Sequence, residues 1–143
     1  MIEATILRAL EPRGFLFLCV ANSARSQMAE GIARSMASDD VRVQSAGSKP
    51  TSVRPDAIEV LAEIGIDISR HQSKDVSQIP PSDVDTVITL CGEKECPLFL
   101  GKATRVHWAL PDPTSVHTDR KARLEAFRRT RDELRRRLVL VLG

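Results

Sequence analysis

A cysteine and an arginine lie six positions apart in segment 19–25, which reads Cys-Val-Ala-Asn-Ser-Ala-Arg. Residues Phe15 to Val20, which lead into this segment and include its cysteine, form a continuous apolar run typical of a strand buried on both faces. From Arg25 onward, apolar residues recur at helical spacing. The pair therefore flanks a turn between a strand and a helix. Loop amides, the dipole of a helix N-terminus and a guanidinium that binds two oxygens together suit a tetrahedral oxyanion.

This arrangement predicts Cys19 as a nucleophile, because a positive field favours the reactive thiolate. Arg25 is predicted to hold the anion, and Ser26 can donate a hydrogen bond to the thiolate. The backbone of the loop completes the predicted oxyanion pocket with Val20, Ala21, Asn22, Ser23 and Ala24. Asn22 tolerates the left-handed backbone that such a loop requires. The alternative is that Cys19 is only a small buried residue at a strand end, and the correctly spaced Arg25 argues against it.

Strands and helices alternate along the rest of the chain. Further strands are predicted at 41–46, 84–90 and 104–110, and helices are predicted to begin at Arg25, Pro55 and about Asp119. The alternation predicts an α/β protein with a single open, four-stranded parallel sheet and helices on both faces. Cys19, Cys91 and Asp112 each follow a predicted strand. Because ligands of such sheets bind at the carboxyl ends of the strands, we expect these three residues at one edge.

A chain of 143 residues fits one domain. Pro12 and Gly14 mark the end of a predicted N-terminal extension, residues 1–14, which we expect to be peripheral to the domain at 15–143. The net charge of +2 is too small to indicate a nucleic-acid or membrane partner.

Three cysteines are too few, and odd in number, for a secreted disulfide framework. A zinc site built from Cys91, Cys96 and His107 lacks a fourth ligand and the usual short spacing, so no metal is expected. Residues 1–13 contain no basic stretch leading into an apolar run, and no apolar run approaches membrane-spanning length. We therefore expect a cytoplasmic protein with working thiols.

Residues 18–31, Leu-Cys-Val-Ala-Asn-Ser-Ala-Arg-Ser-Gln-Met-Ala-Glu-Gly, resemble the active-site stretch of arsenate reductases that share the low-molecular-weight protein tyrosine phosphatase fold. The resemblance extends from residue 15 to about residue 138. Further matching segments are Ser45-Ala46-Gly47, residues 65–69, residues 87–91, Cys96-Pro97, His107-Trp108 and Asp112-Pro113. The resemblance implies that fold, with its phosphate-binding loop after the first strand, and reduction of arsenate to arsenite in arsenic detoxification.

Two further cysteines separate a reductase from a phosphatase, which has no use for them. A reductase takes two electrons from thiols and passes the resulting disulfide to an outside reductant. The resemblance implies that Cys91 attacks Cys19 to release arsenite and that Cys96 then attacks Cys91. A thioredoxin-type protein would reduce the final disulfide. The gap between Cys91 and Cys96 is shorter than the common spacing in thioredoxin-coupled relatives, so a glutaredoxin-type reductant stays open.

Asp112 precedes Pro113, which favours an extended backbone at the rim of the site. By resemblance it is the general acid that protonates the oxygen leaving arsenate. An ordinary turn aspartate is the alternative. Phosphatases of this fold usually carry a tyrosine near the acid, and this chain has none, which argues against a phosphotyrosine substrate.

Many relatives bind potassium beside the anion loop, at positions that match Asn22, Glu30 and Ser45 and a downstream threonine and aspartate. This chain has Gln72 and Lys74 at the last two positions. A lysine ammonium repels a cation and can pair with Glu30 in its place. We therefore predict that no potassium is required and that no other cofactor is bound.

Two other functions stay open. The first is a phosphatase or related phosphomonoesterase, and a reductase with this anion loop is itself expected to keep residual phosphatase activity. The second is a redox sensor with a regulatory disulfide between Cys19 and Cys91. Phosphate or sulfate is expected to compete with arsenate, and the protein is expected to be a monomer without nucleic-acid or membrane partners.

Arginines of the final helix alternate with acids and lack aromatic neighbours, so they are interpreted as a solvated or paired face: 128, 129, 131 and 135–137.

Overall fold

The computed structural model describes residues 2–91, 99, 101–115 and 119–143. Its strands are β1 (Gly14–Cys19), β2 (Arg42–Gly47), β3 (Thr86–Thr89) and β4 (Thr104–His107). Its α-helices are α1 (Ile2–Ala9), α2 (Arg25–Met36), α3 (Pro55–Ala62) and α4 (Arg120–Leu142). All strand pairs are parallel, in the order β2-β1-β3-β4. The predicted four-stranded parallel sheet is confirmed.

Strand β1 occupies the middle of the sheet because its apolar side chains are buried on both faces. Phe15 and Phe17 belong to one cluster, which receives residues from all four α-helices. Leu16 and Leu18 point to the opposite cluster, which also contains Phe99. That second face is covered, among the described residues, by short 3₁₀ helices at Val76–Gln78 and Pro81–Asp83. The sequence predicted helices on both faces but located none in this segment. Proline pairs such as 80–81 do not continue an α-helix, which accounts for the short 3₁₀ form.

The N-terminal segment is less peripheral than the sequence suggested. Ala4 and Leu7 in α1 are buried, at 0% and 1% exposure, and belong to the main core cluster. These positions are three residues apart and therefore share one helix face, which packs against α4. The expectation of a peripheral segment is wrong. The buried residues Ala4 and Leu7 span a single helical turn, which is too short to appear as a periodic pattern of apolar residues in the sequence. The domain boundary at residue 14 stays a prediction.

Helix α4 supports the other three α-helices, since it contacts α1, α2 and α3. Asp119 caps its start by accepting a hydrogen bond of 2.6 Å from the amide of Ala122. Its buried stripe includes the five predicted apolar residues, Leu124, Phe127, Leu134, Leu138 and Val141. No helix among the described residues is both long enough and apolar enough to cross a membrane.

Candidate active site

The loop after β1 is held in place by backbone hydrogen bonds on its outer side. Backbone amides of a following segment donate to its carbonyls, from Lys49 to Val20 at 2.9 Å, from Thr51 to Ala21 at 3.1 Å and from Arg54 to Ser23 at 2.9 Å. A trans peptide directs its N–H opposite to its C=O. The amides that follow these carbonyls therefore point to the inner side of the loop, as an oxyanion pocket requires. Ala24 has no side chain that could cap α2, which leaves that task to a ligand.

Asn22 has the left-handed backbone predicted for it, with φ of 49°. Its side-chain nitrogen donates to the hydroxyls of Ser26 at 2.8 Å and Ser45 at 2.9 Å. Its side-chain oxygen accepts from Gln27 Nε2 at 3.0 Å and from the amide of Lys74 at 2.9 Å. All hydrogen-bonding capacity of the carboxamide is thus used to hold the strained turn.

The turn also requires a close approach of β2, which Gly47 provides. A Cβ atom at position 47 would lie 2.8 Å from the carbonyl oxygen of Cys19 and 2.9 Å from the amide nitrogen of Asn22. Any larger residue there would push the loop out of shape. The sequence marked Gly47 only as a strand stop and as part of the resemblance, and this contact was not foreseen.

Cys19 is a free thiol with 3% exposure at the end of β1. Its sulfur lies 2.9 Å from the hydroxyl oxygen of Ser26. Because Asn22 already donates to that oxygen, the serine proton can be directed to the sulfur. The contact that the predicted role of Ser26 requires is present, and stabilisation of the thiolate by Ser26 stays a prediction.

Arg25 connects the loop to the ends of two other strands. Its Nη1 donates to the carbonyl of Leu110 at 3.0 Å and to that of Leu90 at 3.4 Å. Its Nη2 lies 3.8 Å from Oδ2 of Asp112, which is 35% exposed in its side chain. The structure therefore brings the predicted anion-binding arginine and the predicted general acid together at one edge of the sheet.

Asp112 has a second set of partners that the sequence did not reveal. Its Oδ1 accepts hydrogen bonds from the amide of Thr114 at 3.0 Å and from the Thr114 hydroxyl at 2.7 Å. These bonds orient the carboxyl so that Oδ2 faces Arg25. An aspartate that bonds two residues ahead in a proline turn is a recognisable local signal.

Cys91 lies beside the nucleophile, at the end of the neighbouring strand. It is fully buried and disulfide-bonded. Its sulfur is 4.0 Å from the carbonyl oxygen of Leu18, the residue before Cys19. A disulfide sulfur has no proton to donate, so this is a packing contact. Cys96, the other predicted relay cysteine, lies outside the described residues.

Glu30 forms a charged centre behind the loop. It is buried, with 3% of its side chain exposed, and accepts a hydrogen bond of 2.6 Å from Ser45. The Lys74 ammonium lies 3.7 Å away, so the predicted Glu30–Lys74 pair is present. Arg34 lies 3.3 Å from the same carboxylate.

His71, for which the sequence offered no motif, joins this centre. Its Nδ1 lies 3.0 Å from Gln27 Oε1 and 3.5 Å from Glu30 Oε2. Burial lowers the pKa of His71, and Glu30 opposes that effect while Arg34 and Lys74 add to it. The ring is therefore neutral at pH 7, and Lys74 and Arg34 supply the compensating charge. Only the contacts in the folded structure show that His71 belongs to the charged centre around Glu30.

The arginines of α4 are largely paired with acids. Arg128 and Arg131 both bind Glu63, each at 2.7 Å, and Arg136 and Arg137 bind Glu133 at 2.6 and 3.4 Å. Hydrogen bonds from Arg128, followed by those from Arg131, lower the pKa of Glu63 to about 2. This agrees with the interpretation of the helix as a paired surface.

Comparison with known proteins places this geometry in a family. Residues 14–142 match the model of the low molecular weight phosphotyrosine protein phosphatase family. An arsenate reductase of Halalkalibacterium halodurans is 40% identical over 124 residues, which cover 85% of this chain and 89% of that protein. The arsenate reductase of Bacillus subtilis is 37% identical over 131 residues, with 90% and 94% covered.

Solved structures agree with these relatives. An arsenate reductase in its oxidized state superimposes with a TM-score of 0.77 at 32% identity, covering 91% of this chain and 96% of that one. A thioredoxin-dependent arsenate reductase of Corynebacterium glutamicum gives a TM-score of 0.60 at 26% identity, covering 97% of this chain and 70% of that one. The loop geometry, the relatives and the matched fold lead to one conclusion: this chain belongs to the arsenate reductases of the low molecular weight phosphotyrosine protein phosphatase family.

Proposed function

We propose that this member of the arsenate reductases reduces arsenate to arsenite through a relay of Cys19, Cys91 and Cys96. One observation carries the proposal: Cys91 is disulfide-bonded while Cys19, on the adjacent strand end, is free. That is the thiol state expected once the oxidation has left the nucleophile. The chain contains three cysteines, and we take Cys96 as the partner of Cys91.

The first step uses the pocket around Cys19. The loop amides and Arg25 hold arsenate, and the Cys19 thiolate attacks arsenic to form an S–As bond. One arsenic–oxygen bond breaks, and Asp112 protonates the departing oxygen so that it leaves as water. Arsenic is still pentavalent. Ser26 stabilises the attacking sulfur before the bond forms.

The next two steps move the oxidation away from the pocket. The Cys91 thiolate attacks the Cys19 sulfur, an S–S bond forms, and the electron pair of the broken S–As bond reduces arsenic to arsenite. The Cys96 thiolate then attacks Cys91, which restores the Cys19 thiolate and leaves a Cys91–Cys96 disulfide. A thioredoxin-type or glutaredoxin-type dithiol reduces this disulfide and is itself oxidised.

The expected partners follow from this chemistry. Tetrahedral anions such as phosphate and sulfate should compete with arsenate, in line with a relative whose structure is described as the phosphate binding state. The thioredoxin-dependent relative of Corynebacterium supports a thioredoxin-type reductant. We further infer a monomeric protein that works in the cytoplasm, where reduced thiols persist, and an enzyme that needs no potassium because Lys74 pairs with Glu30.

A phosphatase is the second candidate, since the anion loop and Asp112 would also serve phosphate ester hydrolysis. The two functions differ in their need for Cys91 and Cys96. In an assay coupled to NADPH, thioredoxin reductase and thioredoxin, Cys19→Ser, Cys91→Ser and Cys96→Ser should each abolish arsenate-dependent turnover. Of the three cysteines, only Cys19 should be required for hydrolysis of p-nitrophenyl phosphate.

Each variant should also stop at a different stage. After exposure to arsenate, mass spectrometry should find a Cys19–Cys91 disulfide in Cys96→Ser and none in Cys91→Ser. Sustained turnover of Cys91→Ser or Cys96→Ser with arsenate would refute the relay. A redox sensor would show no sustained NADPH consumption even in the wild type.

A further inference from the structure

A cavity of about 360 Å³ lies between the loop that carries Asp112 and helix α4. Its walls come from residues 110–113 and 115 of the loop and from one face of the helix. None of residues 19–25, all of which the structure describes, lines the cavity. The cavity is therefore separate from the anion pocket, although Asp112 contributes to both.

The lining of this cavity is mostly apolar, and its volume suits a small molecule. The apolar residues in it are Leu110, Pro111, Pro113 and Ala126. Ligand cavities in proteins commonly measure about 300–1,000 Å³, and an apolar cavity of about 150 Å³ holds one benzene molecule. The cavity therefore has room for an apolar body of one or two aromatic rings.

Most polar groups of the lining already have partners within the protein. The Ser115 hydroxyl donates to the carbonyl of Asp112 at 2.7 Å, and the Thr130 hydroxyl donates to the carbonyl of Ala126 at 3.1 Å. The Asp112 carboxylate makes the contacts described above, and two arginines of α4 bind the Glu133 carboxylate at 2.6 and 3.4 Å. A ligand rich in hydroxyl or amide groups would leave those groups unpaired here, which costs free energy.

Arg129 is the exception among the polar groups of the lining. Its side chain is exposed and forms no hydrogen bond or ion pair with any residue that the structure describes. The planar guanidinium can donate two parallel hydrogen bonds to one carboxylate. An apolar cavity with one available cation thus complements a ligand that has an apolar body and a single carboxylate.

We propose that this cavity binds a small aromatic monocarboxylate, with its rings among the apolar side chains and its carboxylate on Arg129. The ligand would contact the backbone that carries Asp112, including Leu110, whose carbonyl accepts a hydrogen bond from Arg25 at 3.0 Å. This binding site goes beyond the thiol relay and does not depend on it. Its test therefore needs no arsenate.

Calorimetric titration of the protein with 2-naphthoate at pH 7 tests the proposal. One equivalent should bind with a dissociation constant of about 1 mM or below, an ordinary affinity for a ligand of this size. Arg129→Gln should weaken binding about three- to tenfold, because it removes the charge-assisted bonds to the carboxylate. Arg135→Gln is the matched control, since it removes another exposed arginine of α4 that does not line the cavity, and it should leave the affinity unchanged.

Two further comparisons separate the charge of the ligand from its rings. The neutral 2-naphthamide should bind more weakly than 2-naphthoate, and Arg129→Gln should change its affinity less than about twofold. Ala126→Leu, which places a larger side chain in the cavity, should weaken both ligands about tenfold or more. Circular dichroism checks the fold of each variant. If Ala126→Leu does not fold, the comparison of Arg129→Gln with Arg135→Gln decides the matter.

Inorganic phosphate distinguishes the cavity from the anion pocket, since a carboxylate could also enter the loop around Cys19. Saturating phosphate should change the affinity for 2-naphthoate less than about twofold. Displacement of 2-naphthoate by phosphate, absence of binding, or equal affinities of wild type and Arg129→Gln would each overturn the proposal. If phosphate itself does not bind, the anion pocket proposed above fails, and the Arg129 variant still decides the role of the cavity.

Discussion

At the scale of single residues, the active-site loop depends on a buried carboxylate that must be neutralised. Hydrogen bonds run from Glu30 through Ser45 and Asn22 to Ser26, whose oxygen contacts the Cys19 sulfur. A buried charge is tolerated only when it is paired and hydrogen-bonded. Lys74 therefore acts on the nucleophile indirectly, by fixing the charge at the far end of this chain.

This arrangement predicts the effect of potassium and of Lys74. Wild-type turnover with arsenate should change less than about twofold when sodium is replaced by potassium, because the ammonium already pairs with the carboxylate. Lys74→Gln should lower turnover about fivefold, equivalent to about 1 kcal/mol for a partly exposed pair. Lys121→Gln, on the exposed start of α4, is the control and should have no effect. A several-fold rise of wild-type turnover in potassium would contradict the interpretation.

At the scale of secondary structure elements, the predictions succeeded where one property determined the element. Strand β1 was recognisable because both of its faces are apolar, and α4 because its stripe repeats over five turns. Helix α1 was missed because, among its described side chains, only Ala4 and Leu7 are buried in the core. The 3₁₀ helices that cover the second face were not located from the sequence, since the turns around Pro80 and Pro81 carry no periodic pattern.

The buried contact of helix α1 predicts that this helix contributes measurably to the stability of the fold. Leu7→Ala should lower the free energy of unfolding by about 2 kcal/mol, the lower range for truncating a buried leucine, because a terminal helix can relax around the cavity. Ile6→Ala, at a position 54% exposed, should cost less than about 0.5 kcal/mol. Urea denaturation of both variants measures the difference. Equal midpoints would mean that α1 is docked too weakly to add stability.

At the scale of the whole molecule, local sequence signals identified the chemistry of the site. The residues that hold the catalytic side chains in place are brought there by long-range contacts. The spacing of Cys19 and Arg25 and the alternation of strands and helices were enough to predict where the pocket lies. No local pattern indicates that His71 joins Gln27 and Glu30. These partners are distant in sequence, and only the tertiary fold brings them together.

The docking of α3 on α4 offers the clearest test at this scale. Glu63, just after α3, binds Arg128 and Arg131, while Arg131 also donates to the carbonyl of Val60 at 2.9 Å. The folded pKa of Glu63 is about 2, below its ordinary value of 4.5. The unfolded chain therefore binds the proton first, and the stabilisation is complete above about pH 4.5 and is lost as the pH falls toward 2.

Glu63→Gln should accordingly lower the free energy of unfolding by about 0.5–1 kcal/mol at pH 7, a value reduced by solvent screening of a side chain that is 35% exposed. The difference from wild type should shrink progressively between pH 4.5 and pH 2, because protonation then removes the same charge from the wild-type protein. Urea midpoints measured across this range, with exposed Asp39→Asn as the control, test the argument. A difference that stays constant with pH would show that Glu63 joins the helices through packing, and that its charge contributes little to holding α3 against α4.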